Sequence, residues 1–326
     1  MKLIKAVGVV AVSVFATAAM ADYSEHPEAI AFKPDLLESG FTEAEIDAFL
    51  AGAEKKQSII DAISKPAERV LEWKDYRKIF ITERRLNEGL DFMREQADTL
   101  ARAERELGVP AEIIAAIIGV ETYYGRITGS YRVIDALTTL AFDYPKRAPF
   151  FKKQLREYLM LAKEQGVDPM EPKGSYAGAM GYGQFMPSSY RAYAIDFDDD
   201  EFTDIWNNPV DAIGSVGHYL KRHGWVPGQP IMQELSDAER VSSEWLTSGL
   251  KLDFTVGELP INRDEIAASL PADTKAKIIE LQAESGSKQW VVFNNFYTIT
   301  RYNHSSMYAM AVTQLAQGLA QGLLEP

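Results

Sequence analysis

One segment limits the architecture more than any other. From about 110 to 121 the chain reads PAEIIAAIIGVE, apolar nearly all the way round a 3.6-residue repeat. A helix without a polar face has to be buried, so the rest of the chain must surround it. Pro110 suits the first turn of this helix, and Gly108-Val109-Pro110 closes the element before it. The neighbouring patterns supply candidates for the surround. Residues 81–107 read as one long amphipathic helix with Leu86, Leu90, Met93 and Leu100 on one side. Residues 41–63 are helical in spacing, with Thr42 and Glu45 placed as a capping box. Helices are also expected over 150–165, 209–222 and 307–323. Between about 250 and 300 the texture changes to β-rich runs at 252–256, 290–293 and 296–300. The fold class is therefore mainly α (α+β), a helical protein with a small β-containing insertion.

Composition narrows function by exclusion. The 326 residues carry 34 Lys+Arg against 47 Asp+Glu, a net charge of −13, which disfavours broad binding to nucleic acid or anionic lipid. No cysteine is present, which removes disulfides, zinc–thiolate sites, iron–sulfur clusters and thiol catalysis. Four histidines leave little room for a multi-histidine metal enzyme. No organic cofactor motif occurs. At the N-terminus, Lys2 and Lys5 precede an apolar run, and Ala19-Met20-Ala21 offers a small-x-small cleavage site before Asp22. Residues 1–21 read as a secretory signal peptide of an exported, periplasmic protein, a retained membrane anchor being the other reading. No cysteine stands at the cleavage site to carry a lipid.

Glu121 is the most informative single residue. Ile114, Ile117, Ile118 and Glu121 share one helical stripe. A carboxyl at the end of a buried stripe loses hydration, its pKa rises, and it can hold a proton near neutrality as a general acid does. The plainer alternative is a helix-end glutamate that reaches solvent past Gly125. Tyr123 and Tyr124 offer aromatic faces suited to sugar rings. A second element, the run GSYAGAMGYGQFMP at 174–187, has four glycines in ten residues and lets backbone approach a ligand closely. It matches neither GxxxxGK[ST] nor a full GxGxxG, so a phosphate loop is excluded. Its Ser175, Met180, Tyr182 and Gln184 suit a neutral polyhydroxy substrate.

These segments, together with Gly119-Val120-Glu121-Thr122, Tyr144-Pro145-Lys146-Arg147-Ala148, Ala212-Ile213-Gly214-Ser215-Val216 and Asn294-Asn295-Phe296-Tyr297 to Arg301-Tyr302-Asn303-His304-Ser305, resemble the lytic murein transglycosylase B family. The resemblance spans nearly all of the chain after residue 21. It implies a lysozyme-like catalytic core with a helical sub-domain and a small β-containing sub-domain. The expected division is 22–104 helical, 105–230 core, 231–293 β-containing insertion and 294–326 core-completing, with no separate wall-binding module after it. The implied activity is cleavage of peptidoglycan glycan strands between N-acetylmuramic acid and N-acetylglucosamine without water, leaving 1,6-anhydromuramoyl ends. The resemblance implies Glu121 as the single acid/base, with Ser175, Met180, Gln184, Tyr219, Tyr302 and Asn303 toward the sugars. Lys146 and Arg147 match a pair of arginines, and Lys146 keeps the charge but loses the two-pronged donor. No motif marks a second carboxylate, although ordinary glycosidases use two. Two other readings stay open, a non-catalytic glycan-binding scaffold and a hydrolytic muramidase. The sequence names no protein partner.

An acidic loop completes the inventory. Asp196, Asp198, Asp200 and Asp204 fall at the spacing of an EF-hand calcium loop, but position 6 is Glu201 instead of glycine and position 12 is Asn207 instead of glutamate. The resemblance implies a lengthened loop closed by Asp211, with Phe202 lending its carbonyl to a structural calcium ion. A solvated loop without metal is the alternative. His218, His223 and His304 lack metal-site spacing.

Overall fold

The computed structural model describes residues 22–65, 71–263 and 270–324. The proposed signal peptide lies outside them. The all-apolar segment forms helix α7 (Ala111–Thr122), in which every residue from Ile113 to Val120 is buried. It is enclosed by α5 (Glu83–Glu95), α6 (Ala97–Leu107), α11 (Pro209–Arg222) and the C-terminal α13 (Ser306–Leu324). The enclosure required by an apolar helix is thus built from segments more than 200 residues apart, α5 ending at Glu95 and α13 starting at Ser306.

The long helix expected over 81–107 is two helices. Gln96, at φ −107° and ψ 21°, ends α5 and starts α6, so Met93 and Leu100 are buried while Leu86 and Leu90 are only partly so. The 41–63 segment also divides, into α2 (Glu43–Gly52) and α3 (Gln57–Ser64). At the start of α2, Thr42 Oγ1 accepts from Glu45 N at 3.2 Å and Glu45 Oε2 accepts from Thr42 N at 2.7 Å, the reciprocal capping box. Helices α1 (Pro27–Glu38), α8 (Val133–Asp143), α9 (Ala148–Gln165) and α10 (Pro187–Tyr193) complete this side, with α8 packed along α9.

Strands β1 (Tyr131–Arg132) and β2 (Lys173–Gly174) form a short antiparallel pair, and the β-containing part is a four-stranded antiparallel sheet in the order β3 (Met232–Glu234), β6 (Gly286–Val292), β5 (Lys275–Ala283), β4 (Phe254–Thr255). Its two faces bury different cores. Ile279, Trp290 and Val292 join the main core, whereas Ala276, Ile278 and Val291 join Leu235, Val256, Leu259, Leu270 and Phe293 in a second, smaller one. Burial on both faces explains why Trp290-Val291-Val292-Phe293 is a continuous apolar run.

One strand expectation is corrected. Residues 296–300 are rich in β-branched and aromatic types, yet Asn294–Tyr302 is a helix, α12. Phe296, Ile299 and Thr300 are buried at helical spacing, and that packing outweighs strand propensity. The expected division at 104–105 falls inside α6, while that at 293–294 falls between β6 and α12.

Candidate active site

Glu121 sits one residue from the end of α7, partly buried. Loss of hydration pushes its carboxyl up to about 7, opposed by a hydrogen bond that Tyr308 Oη donates to Oε1 at 2.7 Å. A donated bond favours the ionised form, so burial is the larger effect and the carboxyl titrates near neutrality. No other carboxylate among the described residues adds to that shift. Tyr308 comes from α13, is only 2% exposed, and has its own hydroxyl pKa raised by burial. Tyr76, on α4 (Trp73–Phe80), and Tyr302, at the end of α12, feel the Glu121 charge as well. A carboxyl thus stands among three phenols drawn from three helices.

The backbone turns sharply after Glu121. Tyr123, Tyr124 and Gly125 are all left-handed, with φ of 56°, 59° and 85°. A non-glycine residue there is strained by about 1 kcal/mol or more. Gly125 is dictated by space as well as by φ, because a Cβ would stand 2.1 Å from a ring carbon of Tyr182. Thr122 Oγ1 donates to the carbonyl of Tyr182 at 2.9 Å and accepts from Gly125 N at 3.0 Å, which ties the helix end to the glycine-rich loop.

That loop is held by its own backbone. Met180 N donates to Phe185 O and Phe185 N to Met180 O, both at 2.9 Å, and Ser175 N donates to Ala179 O at 2.8 Å. Gly129, at φ 102°, lies so close beneath it that a Cβ would come within 2.0 Å of Gly174 O. Gln184 Nε2 donates to Thr128 O at 3.1 Å and Gly181 O at 3.0 Å. Both amide protons are taken, so its carbonyl oxygen is what Gln184 can offer a ligand. Tyr302 Oη donates to Gly183 O at 2.6 Å and its ring lies 4.7 Å from that of Tyr219.

The sequence-derived residues fall into four groups. Ser175, Gln184 and Tyr302 belong to the loop or touch it. Asn303 is exposed just past Tyr302. Met180 and Tyr219 do not reach outward: Met180 is 0% exposed, and Tyr219 is buried with its hydroxyl donated to Arg301 O at 2.6 Å. A side chain enclosed in the core cannot contact a sugar, so the expectations for Met180 and Tyr219 are corrected to residues that support the loop from within, Tyr219 through its packing on Phe185 and Tyr302. Lys146 and Arg147 are exposed on the turn Pro145–Arg147, where the Arg147 guanidinium stacks 4.6 Å from the Phe150 ring. Tyr308 and Tyr76 escaped the sequence reading, since no spacing connects either to Glu121.

In the acidic loop, oxygens of Asp196, Asp198 and Asp211 lie within 4.8 Å of one another. Asp211 is 0% exposed, its carboxyl pushed up by burial while it accepts from Phe197 N and Asp204 N at 2.7 Å. Asp200 stands outside this group, and its Oδ1 accepts from Phe202 N at 2.9 Å. Glu201, at the position where an EF-hand has glycine, adopts φ 71°. The loop therefore makes the glycine turn without the glycine, and its three converging carboxylates fit a hard divalent cation.

Residues 24–317 match the family model described as a transglycosylase SLT domain. The chain is 40% identical over 309 residues to the membrane-bound lytic murein transglycosylase B of Escherichia coli, covering 92% of this chain and 84% of that protein. It resembles the soluble lytic transglycosylase SltB1 of Pseudomonas aeruginosa at TM-score 0.85 and 50% identity, over 92% of this chain and all of that one. Escherichia coli Slt35 in complex with calcium matches at TM-score 0.82 and 39% identity, over 93% of this chain and 96% of that one. Pseudomonas aeruginosa SltB3, solved with a NAG-anhNAM-pentapeptide, matches at TM-score 0.78 and 30% identity, over 90% of this chain and 78% of that one.

Proposed function

The chain belongs to the transglycosylase SLT domain family, lytic enzymes that act on peptidoglycan, and from that premise we propose how its own residues do the chemistry. The bond broken is the β-1,4 link between N-acetylmuramic acid and N-acetylglucosamine, and the product carries a 1,6-anhydromuramoyl end. The observation that carries the reading is Glu121 itself, a carboxyl held near pKa 7 by burial and bonded to one phenol, with no neighbouring carboxylate adding to its shift.

Such a group is protonated in an appreciable fraction at neutral pH. It gives its proton to the glycosidic oxygen as the C1–O bond breaks. The muramoyl 2-acetamido oxygen closes on C1 from the other face, so no protein nucleophile is needed. Glu121, now ionised and stabilised by the Tyr308 hydroxyl, takes the proton of the muramoyl 6-hydroxyl. O6 then attacks C1 from the face the leaving sugar has vacated, the bond from the acetamido oxygen to C1 breaks to restore the neutral acetamide, and the proton count of Glu121 returns to its start. Ser175, the Gln184 carbonyl, Tyr302 and Asn303 position the sugars, and Lys146 and Arg147 meet substrate further along the strand. The complex of SltB3 with NAG-anhNAM-pentapeptide supports this outcome.

Asp196, Asp198 and Asp211 would hold a calcium ion, with the Phe202 carbonyl as a further ligand. The ion would relieve carboxylate repulsion and fix the loop, a structural contribution that the Slt35 calcium complex supports. We place the protein in the periplasm, exported through residues 1–21. Among the described residues no helix is long and apolar enough to cross a membrane.

The test is Glu121→Gln assayed on purified sacculi, with products weighed by mass spectrometry. Loss of at least about 100-fold in rate and wild-type products of anhydro mass are expected. A variant retaining a tenth of the activity would sink the acid/base assignment. Products heavier by one water per cut would make the enzyme a hydrolase.

A further inference from the structure

The left-handed turn after Glu121 is held by more than its own bonds to Thr122. We propose that α5 is a splint for it, and that Arg85, Glu88 and Gly89 are positioning residues for the Glu121 carboxyl; the proposal rests on Glu121 being the acid/base.

Tyr123, Tyr124 and Arg126 each meet a different part of α5. Arg85 is buried at 8% exposure, and its guanidinium carbon lies 4.4 Å from the centre of the Tyr123 ring. Its Nη1 donates to Ile79 O at 2.6 Å, which anchors the guanidinium in place. The Tyr124 ring fills a notch between two glycines. A Cβ on Gly89 would be 2.3 Å from Tyr124 Oη, and one on Gly119 would be 2.6 Å from Tyr124 Cζ. Phe92, also on α5, packs its ring 5.5 Å from that of Tyr124. Beyond the turn, Arg126 Nη1 reaches Glu88 Oε1 at 2.6 Å, and the same oxygen accepts from Arg84 Nε at 2.9 Å. So Tyr123, Tyr124 and Arg126 are each fixed by α5: two guanidinium groups, Arg85 and the more distant Arg84 at 5.4 Å, stack on Tyr123, a steric notch holds Tyr124 and an ion pair holds Arg126.

Arg85 does not act on Glu121 through charge. Burial and Tyr308 account for the Glu121 shift, and no arginine contributes to it. The influence must pass through geometry: a released turn lets the last residues of α7 unwind and moves the carboxyl off its line to the glycosidic oxygen. Misplacement of a reacting group by an ångström is enough to lower a rate by two orders of magnitude.

The experiment compares Arg85→Met, Arg85→Lys and Arg126→Gln on soluble glycan strands across pH, with Glu121→Gln in parallel. Arg85→Met should lower kcat at least tenfold with KM within twofold and the alkaline limb of the pH profile unmoved. Arg85→Lys, which keeps a cation over Tyr123, should recover part of the loss. Arg126→Gln changes an exposed side chain and folds in any case; it should lower kcat two- to fivefold at unchanged KM. Wild-type kcat in both Arg85→Met and Arg126→Gln overturns the splint, as does a kcat loss accompanied by a shifted limb, which would mean an electrostatic role. If Glu121→Gln stays active, it is the acid/base reading that fails; if Glu121→Gln is dead and kcat is normal in the others, only the splint fails.

Discussion

Replacing Glu121 by glutamine should stabilise the protein above neutral pH while abolishing its activity. The carboxyl titrates at about 7 in the folded chain against an ordinary value of 4.5. Between those two values the folded protein holds a proton that the unfolded chain has released. Stability is therefore fully retained below pH 4.5 and declines as pH rises through 7. Each pH unit of that window is worth about 1.4 kcal/mol, and water reaching a partly exposed carboxyl trims the total to about 2–3 kcal/mol by pH 8. Glutamine is neutral throughout, similar in shape, and can still accept the Tyr308 hydroxyl. Urea unfolding at pH 4 and pH 8 measures the difference directly. The two proteins should agree at pH 4, and the variant should lead by about 2–3 kcal/mol at pH 8. A gap below about 1 kcal/mol at pH 8, or an equal gap at both pH values, would refute the claim that folding strains this carboxyl's ionisation.

Tyr308→Phe removes the one hydrogen bond among the described residues that holds the Glu121 pKa down. The alkaline limb of the pH–rate profile should move up by about one pH unit, from a charged hydrogen bond of about 1.5 kcal/mol; a limb that stays or moves down contradicts the geometry. Millimolar calcium added to chelator-treated protein should raise its melting temperature, by the equivalent of about 2.7 kcal/mol at a hundredfold excess over Kd. Asp196→Asn with Asp211→Asn should remove that response, and unchanged melting of the parent protein would leave the loop a solvated acidic surface. Gly129→Ala places a Cβ 2.0 Å from a backbone oxygen at φ 102°. It should lower the melting temperature and weaken glycan binding together, and calorimetry showing neither would mean the loop does not rest on Gly129.

What the sequence reveals and what it hides divide along physical lines. The all-apolar α7, the Thr42–Glu45 capping box and the helix over 209–222 depend on local pattern, and all three are present as read. Breaks at Gln96 and at Ala53–Lys56 were hidden, because amphipathic spacing runs on across a short non-helical step that the tertiary packing imposes. Residues 296–300 misled through propensity, since their β-branched side chains fit the helix they bury. At the site, Glu121 and the glycine-rich loop were legible because each carries its chemistry within a few residues. Tyr308 was not. It lies 187 residues away on a helix whose pattern calls only for burial, and its function appears only when α13 packs along α7.

Strain gives an independent route to the same segments. Among the described residues, the non-glycine residues with left-handed backbone are Tyr123, Tyr124, Gln184, Asp199 and Glu201. Two follow the proposed acid/base, one sits in the glycine-rich loop, and two shape the acidic loop. None falls in the sheet or in the helical layer of α1, α2 and α3. Each such residue is unfavourable by about 1 kcal/mol or more and persists only where surrounding contacts leave no alternative. Those contacts are visible: α5 against Tyr123 and Tyr124, Thr128 and Gly181 carbonyls on the Gln184 amide, and the Asp196 carboxylate accepting from Glu201 N at 2.8 Å. The distribution argues that the fold concentrates its conformational strain on three segments that present side chains or oxygens in fixed directions, and that the acidic loop is as closely determined as the Glu121 turn and the glycine-rich loop.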